Sequence, residues 1–227
     1  QASKWVGMTE APAAAPPQDG IAAARAALDD TVLHEHAPIL DEAHAEGGAG
    51  AQRTSEEVQS VLTAGLQDVG NSLIDDGVSL NDILRMILEA MYTGMGFEHV
   101  VLCIKDGRRN AMCGKFGFGD GVQALVRAFD FPLDGQPDVF LVALQNNADI
   151  LISDIDDSKI ASRIPAWYRK QVQARTFVLF PIAVKGKPVG LIYADCPKPG
   201  DISIPEKELS LLKSLRNQAV LAIRQSV

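Results

Sequence analysis

Residue types able to carry chemistry fall at five places in this sequence, and spacing decides what each can do. Phe116-Gly117-Phe118-Gly119-Asp120-Gly121 is glycine-rich just ahead of a helical stretch. Glycines let a backbone approach a phosphate closely, and a helix start offers free N–H donors. The run departs from GxGxxG, however, and no Walker lysine follows, so it reads as a strand exit that can also form a pocket rim. His34-Glu35-His36, with Asp41, Glu42 and His44, can be drawn as a metal site. Histidines two apart point to different sides of a helix, and the segment has no core to fix ligands, so no metal is expected. His99 stands alone at the start of an apolar run and reads as a structural histidine.

Cys103 lies in that apolar run, Cys113 in the return run and Cys196 after a later one. An odd set without CxxC spacing gives neither a disulfide framework nor a zinc site. A redox pair of Cys103 and Cys113 would have only Lys115 and Arg109 nearby in sequence to lower a thiol pKa. Asp154, Asp156 and Asp157 form an acidic turn, but paired carboxylates need a partner base or ligand set before they catalyse anything. No Ser-His-Asp or Cys-His arrangement is suggested, and capping a short helix is their simplest use. Catalysis has no cast here, and the chain is read as a non-enzyme.

The chain has 227 residues and a net charge of -8, with 47% hydrophobic and 22% charged residues. Such a composition builds a real core, while the acidic balance gives no pull toward nucleic acid or anionic lipid. No run approaches the roughly 18 apolar residues of a membrane span. Residues 1–54 differ from the rest: APAAAPP and GGAG are linker compositions around an Ala-rich acidic stretch that cannot bury enough surface to hold itself. They are expected to be a flexible leader or interdomain linker, and residues 55–227 the folded domain, cut from a longer cytoplasmic protein.

The elements that must position these groups follow from periodicity. Val58, Val61, Leu62, Leu66, Val69 and Leu73 form one helical stripe after a Thr54/Ser55 cap, ended by Asp75-Asp76-Gly77. Ser79 caps a second helix that stops near Gly96. His99 to Ile104 and Arg109 to Phe118 read as a hairpin about Asp106-Gly107. Residues 121–129 and 137–145 have helical character, 149–152 is a brief strand, and 156–171 a loop with helical turns. Residues 176–184 and 189–194 are the clearest strand pair, and a last helix follows Pro205. The plan is α+β: an antiparallel sheet with helices on it.

The hairpin TFVLFPIAVKGKPVGLIYAD, residues 176–195, resembles the last core strands of GAF domains, with an apolar run, a Pro, a Gly-containing turn and a G-x-[LI]-Y-x-[DE] ending. EHVVLCIKD, the FGFG segment, SRIPAWYRK and the terminal helix extend the resemblance over residues 78–227. Among GAF domains the sequence is similar to those that follow an HDOD domain in bacterial signalling proteins. The resemblance implies an antiparallel sheet of about six strands, flanked by helices, whose N- and C-terminal helices pack together on one face, and a capped pocket on the sheet. GAF domains bind cyclic nucleotides, bilins, haem or metabolites. The N-K-x-n-F-x-x-x-D-E signature of cyclic-nucleotide binders is absent, and no Cys precedes a His, so no bilin is expected.

On this basis the candidate pocket comprises Phe116, Phe118, Gly119, Asp154, Ile160, Trp167, Tyr168, Phe177 and Tyr193, with the aromatics available to stack on a flat ligand. The resemblance also implies a homodimer paired through end helices, placing Leu62, Leu66, Val69, Leu73, Leu212, Leu215, Ala219 and Ile223 at the interface; the alternative is that both stripes cover their own sheet. The expected function is a regulatory sensor module that takes an unidentified small molecule and signals to an upstream domain, HDOD by resemblance, without nucleic acid or membrane. The competing readings are a ligand-free dimerisation scaffold and, further off, a GAF-fold methionine sulfoxide reductase needing mobile, exposed Cys103 and Cys113.

Overall fold

A computed structural model describes residues 54–75 and 77–226; what was expected of residues 1–53 lies outside them. Helix α1 (Ser55–Ser72) starts with a capping box: Thr54 accepts from the Glu57 amide, and the Glu57 carboxylate accepts from the Thr54 amide. Helix α2 (Leu80–Met95) is capped by Ser79 and closed by Gly96 in the left-handed region. Strands β1 (His99–Asp106) and β2 (Ala111–Phe118) follow. Their turn is held by the Asp106 carboxylate, which accepts from the amides of Arg108 and Arg109, and its left-handed residue is Asn110 rather than the anticipated Gly107.

Then come α3 (Val122–Ala128), β3 (Asp130–Pro132), α4 (Val139–Asn146), β4 (Ile150–Ile152), a 3-10 turn (Ala161–Arg163) and α5 (Ala166–Gln171). The chain ends with β5 (Thr176–Val184), β6 (Lys187–Cys196) and α6 (Glu206–Gln225). Strand β3 was not anticipated, because three residues are too few for alternation to register.

The six strands form one antiparallel sheet in the order β3-β2-β1-β6-β5-β4. Strands β1, β6 and β5 at its centre are apolar on both sides, so both faces must be covered. Pro181 is tolerated in β5 because β4 pairs only with residues 177–179, leaving the strand beyond them at the edge. Val100, Leu102, Phe116, Val178, Phe180, Ile182 and Ile192 face a layer of long helices. Val101, Cys103, Met112, Phe177, Leu179, Leu191 and Tyr193 face the other way, under α3, α4, α5 and the connecting loops.

In the helix layer, α1 runs parallel to α6 and antiparallel to α2. Gln59 donates to the buried Glu208 carboxylate at 2.9 Å, Ser55 donates to it too, and Gln218 reaches the Leu66 carbonyl eleven residues further along α1. Gly65 allows the closest approach to α2, since a Cβ there would sit 2.4 Å from the Ala90 Cβ.

The residues expected at an interface between end helices lie in this layer. Leu62, Val69, Leu212, Leu215 and Ala219 are fully buried within one chain, Ile223 is nearly so, and Leu66 and Leu73 pack against the same core. The stripes turn inward because α1, α2 and α6 bury them against each other and the sheet. The exposed large apolar side chains among the described residues are Ile74, Leu151 and Leu221. Leu215→Ala is therefore expected to cost about 2–5 kcal/mol, and Leu221→Ala less than about 0.5 kcal/mol. Urea unfolding of the two variants checks this.

Candidate functional site

The sheet face away from the long helices holds an aromatic cluster drawn from five elements and a connection. Phe129, just after α3, sits within it: its ring centroid is 4.7 Å from Tyr193, 5.4 Å from Trp167 and 6.0 Å from Phe140. Trp167 of α5 lies parallel to Phe131 of β3 at 5.2 Å, and Phe140 of α4 lies parallel to Phe177 of β5 at 5.5 Å. Tyr168 packs on Phe177 at 5.0 Å. Phe129, Phe140, Tyr168, Phe177 and Tyr193 are buried, whereas Trp167 keeps an edge toward solvent. Rings with parallel and edge contacts at these distances fill the space between sheet and cover.

A chain of polar groups runs through this cluster. The Tyr168 and Tyr193 hydroxyls are 2.9 Å apart, and the Tyr193 hydroxyl donates to Asp195 Oδ2 at 2.6 Å. Tyr168 must then donate to Tyr193, whose own proton is committed. On the far side, His99 Nδ1 lies 2.9 Å from Asp195 Oδ1, and His99 Nε2 lies 2.8 Å from the Asp120 carbonyl. Burial pushes both tyrosine hydroxyls well above their ordinary values. The Asp195 carboxylate, 1% exposed, is a buried acceptor with one contact from His99 of β1 and one from Tyr193 of its own strand, while its main-chain carbonyl accepts from the Glu98 amide just before β1.

The covering segment 153–171 is fastened differently. Arg169 of α5 bonds Asp156 Oδ1 at 2.7 Å, the Ile155 carbonyl at 2.7 Å and the Ala161 carbonyl at 3.2 Å. Arg175 bridges Asp154 and Asp156 at 3.0 and 2.9 Å. The Asp154 carboxyl is held below the usual range by the Asp156 amide and then by Arg175. These carboxylates are braces for a loop.

The structure brings together Trp167, Tyr168, Phe177 and Tyr193, with Ile160 packed beside them and Asp154 in the covering segment. It separates Phe116 and Phe118 from them, correcting their place in the candidate pocket. Phe116 pairs with Leu102 and Phe118 with Val100, both of which face the long helices, so both rings leave the sheet on that side. Arg85 stacks over Phe116 at 4.6 Å, and Phe118 stacks on Tyr92 at 6.1 Å. Gly119 lies at the rim against His99. The residues missed are Phe129, Phe131, Phe140, His99 and Asp195. Pairing of β1 with β6 sets His99 opposite Asp195, and nothing local in the sequence signals that pairing.

The cysteines do not meet. Cys103 is buried in the aromatic-side core, whereas Cys113 pairs with Ile104, which packs on the helix side. Burial raises all three thiols. Among the described residues no group of three or more His, Cys, Asp or Glu is placed to hold a metal; the His34 cluster lies outside them. Nor is any described helix long and apolar enough to cross a membrane. An open groove of about 360 Å³ lies elsewhere, on the outer side of α1 and α2 between Val61, Gly65, Glu89 and Ala90.

The GAF domain family model matches residues 79–223, the whole sheet and every helix after α1 but for the last residues of α6. The chain belongs to the GAF family. Among solved structures, a GAF domain from an Acinetobacter phosphoenolpyruvate-protein phosphotransferase is 17% identical, with a TM-score of 0.58 over 76% of this chain and 95% of that one. A methyl-accepting chemotaxis protein, residues 122 to 287, is 20% identical, with a TM-score of 0.51 over 71% and 96%. The free methionine-R-sulfoxide reductase of Neisseria meningitidis, solved with its substrate, is 16% identical, with a TM-score of 0.58 over 78% and 96%. These likenesses show the GAF fold, which serves signalling proteins and at least one enzyme. No curated protein matches the sequence.

Within this GAF domain, Tyr193→Phe removes a donor from a buried carboxylate and is expected to cost about 1–3 kcal/mol, against about 1 kcal/mol for Tyr168→Phe. Denaturant unfolding of both variants is the measurement.

Proposed function

We propose that this GAF domain is a non-catalytic regulatory module that admits a small flat ligand on the aromatic face by displacing α5. One observation carries the reading: the face is roofed by a short helix whose Trp167 is inserted among Phe129, Phe131 and Phe140, while Arg169 and Arg175 hold the roof by partly exposed ion pairs. Exposed ion pairs are worth roughly 0–1 kcal/mol each. The main cost of lifting the roof is therefore withdrawing Trp167 and Tyr168 from the cluster, about 1.5–3 kcal/mol each, which a flat ligand stacked in their place would offset. A ligand that binds the open form better would shift the balance toward it. Motion of residues 154–171 would then pass to an upstream domain, of the HDOD kind by resemblance, in a cytoplasmic signalling protein.

Trp5 is the other tryptophan, so a Trp5→Phe background isolates Trp167. Titration with cyclic nucleotides, haem and a metabolite library is expected to yield a compound that raises Tm and shifts Trp167 emission toward a more exposed value. Stabilisation without any Trp167 response would refute displacement of α5.

The second reading, a ligand-free dimerisation scaffold, is favoured by the fullness of the aromatic cluster, where Phe140, Phe177, Tyr168 and Tyr193 are 0% exposed. A homodimer would then use outward side chains such as Leu221 or Ile74, which are 46% and 84% exposed. Under that reading, sedimentation of Leu221→Glu or Ile74→Glu should give monomers where the parent chain gives dimers. A parent chain that sediments as a monomer removes it.

A further inference from the structure

His99 is placed between two groups that can only accept hydrogen bonds. Asp195 Oδ1 is 2.9 Å from Nδ1 and the Asp120 carbonyl is 2.8 Å from Nε2. A neutral imidazole has one N–H and can satisfy only one of them. Both contacts are met only when both nitrogens carry protons. We propose that His99 is held as an imidazolium that latches the Gly119–Gly121 turn onto the sheet, so that loss of one proton releases the turn and the start of α3.

Which contact fails on deprotonation follows from the two acceptors. Asp195 is 1% exposed, and although Tyr193 donates to Oδ2, the charged Oδ1 needs the His99 donor more than a neutral backbone carbonyl at the rim does. A buried ionic oxygen left without a donor costs more than a carbonyl. Neutral His99 therefore keeps its proton on Nδ1 and presents the Nε2 lone pair to the Asp120 oxygen. That contact becomes repulsive. The turn's other backbone bonds, the Val122 amide on the Gly119 carbonyl at 3.3 Å and the Ala124 amide on the Gly121 carbonyl at 3.0 Å, lie within it and do not reach β1. Gly119 and Gly121 have φ of 123° and 66°, and Gly119 lies so close over the ring that a Cβ would fall 2.7 Å from His99 Cδ2. Helix α3 follows directly and inserts Val122, Leu125 and Val126 into the aromatic-side core, so release would propagate beneath the covering segment.

The groups facing the ring agree in direction. Asp195 on β6 is the main influence raising the His99 pKa above 6.5; burial opposes it, and the Asp120 carbonyl and Glu98, just before β1, add to the rise. Tyr193 and Tyr168 act on the ring through Asp195, and Cys196, its neighbour on β6, bonds the Glu98 backbone. Because the folded pKa is raised, the stabilisation by His99 is complete below about 6.5 and is lost as pH climbs through the folded value. The side chain is 22% exposed, so protons reach it without unfolding. The latch needs no ligand, and a failed ligand screen leaves it standing.

The test is long-range nitrogen–proton NMR of the full ¹⁵N-labelled chain from pH 5.5 to 9, with amide exchange followed in parallel. His99→Gln identifies the His99 signals among those of His34, His36 and His44. Both His99 nitrogens should be protonated at pH 6.5 and titrate above it. Across that midpoint, exchange at Gly119 to Val122 should rise by about tenfold beyond intrinsic base catalysis, the loss of roughly one charge-assisted hydrogen bond, while Val101 and Leu102 stay unchanged. In His99→Gln the step should vanish. Should that variant fail to fold, Asp195→Asn is expected to lower the midpoint, and an unchanged midpoint overturns the proposal. A single-proton tautomer at pH 6, or titration without any step at Gly119 to Val122, overturns it as well.

Discussion

The constraint on which the structure rests is that its central strands are apolar on both sides. Residues 176–182 of β5 are buried without a break, and residues 189–195 of β6 likewise. A strand of that kind has no solvent face, so the sheet must be covered twice. Long amphipathic segments are available for one side only. The helices α1, α2 and α6 supply it, and the second face is left to α3, α4, α5 and the connections between them.

That inequality gives the sheet one face covered by long helices and one covered by short elements and connections. On the helix side, apolar stripes from three helices close over the sheet, and the polar groups drawn in, such as Glu208, receive donors from α1. On the other side the cover is short, and its outer attachments are ion pairs between half-exposed groups. The aromatic cluster, the Tyr-Tyr-Asp-His chain and the roof helix α5 all belong to that side. The candidate pocket and the His99 contacts thus share the face covered by short elements.

Structural neighbours at 16–20% identity share this architecture while serving in a phosphotransferase, a chemotaxis protein and a reductase. Function therefore has to be argued from the site rather than the fold. Here the site offers buried rings and hydroxyls, with Cys103 sealed in the core and separated by the sheet from Cys113.

Local rules carried far in this sequence. The capping box at Thr54, the Ser79 cap, the β5–β6 hairpin and the Pro205 helix start are all encoded within a few residues, because a cap or a turn is satisfied by near neighbours. Periodicity likewise identified which residues of each helix and strand share a side. What it left open is which sides of different elements meet. Phe116 and Phe118 were placed with Trp167, but the register of β2 on β1 turns them toward the helices. The stripes of α1 and α6 suited a second subunit as well as their own core, and the three-helix layer shows how most of their residues are buried within one chain. His99 and Asp195 lie 96 residues apart and become partners through the pairing of β1 with β6. The sequence alone determined the elements and their apolar faces; the tertiary structure decided the partners, because strand register and helix docking are set by the whole sheet closing at once.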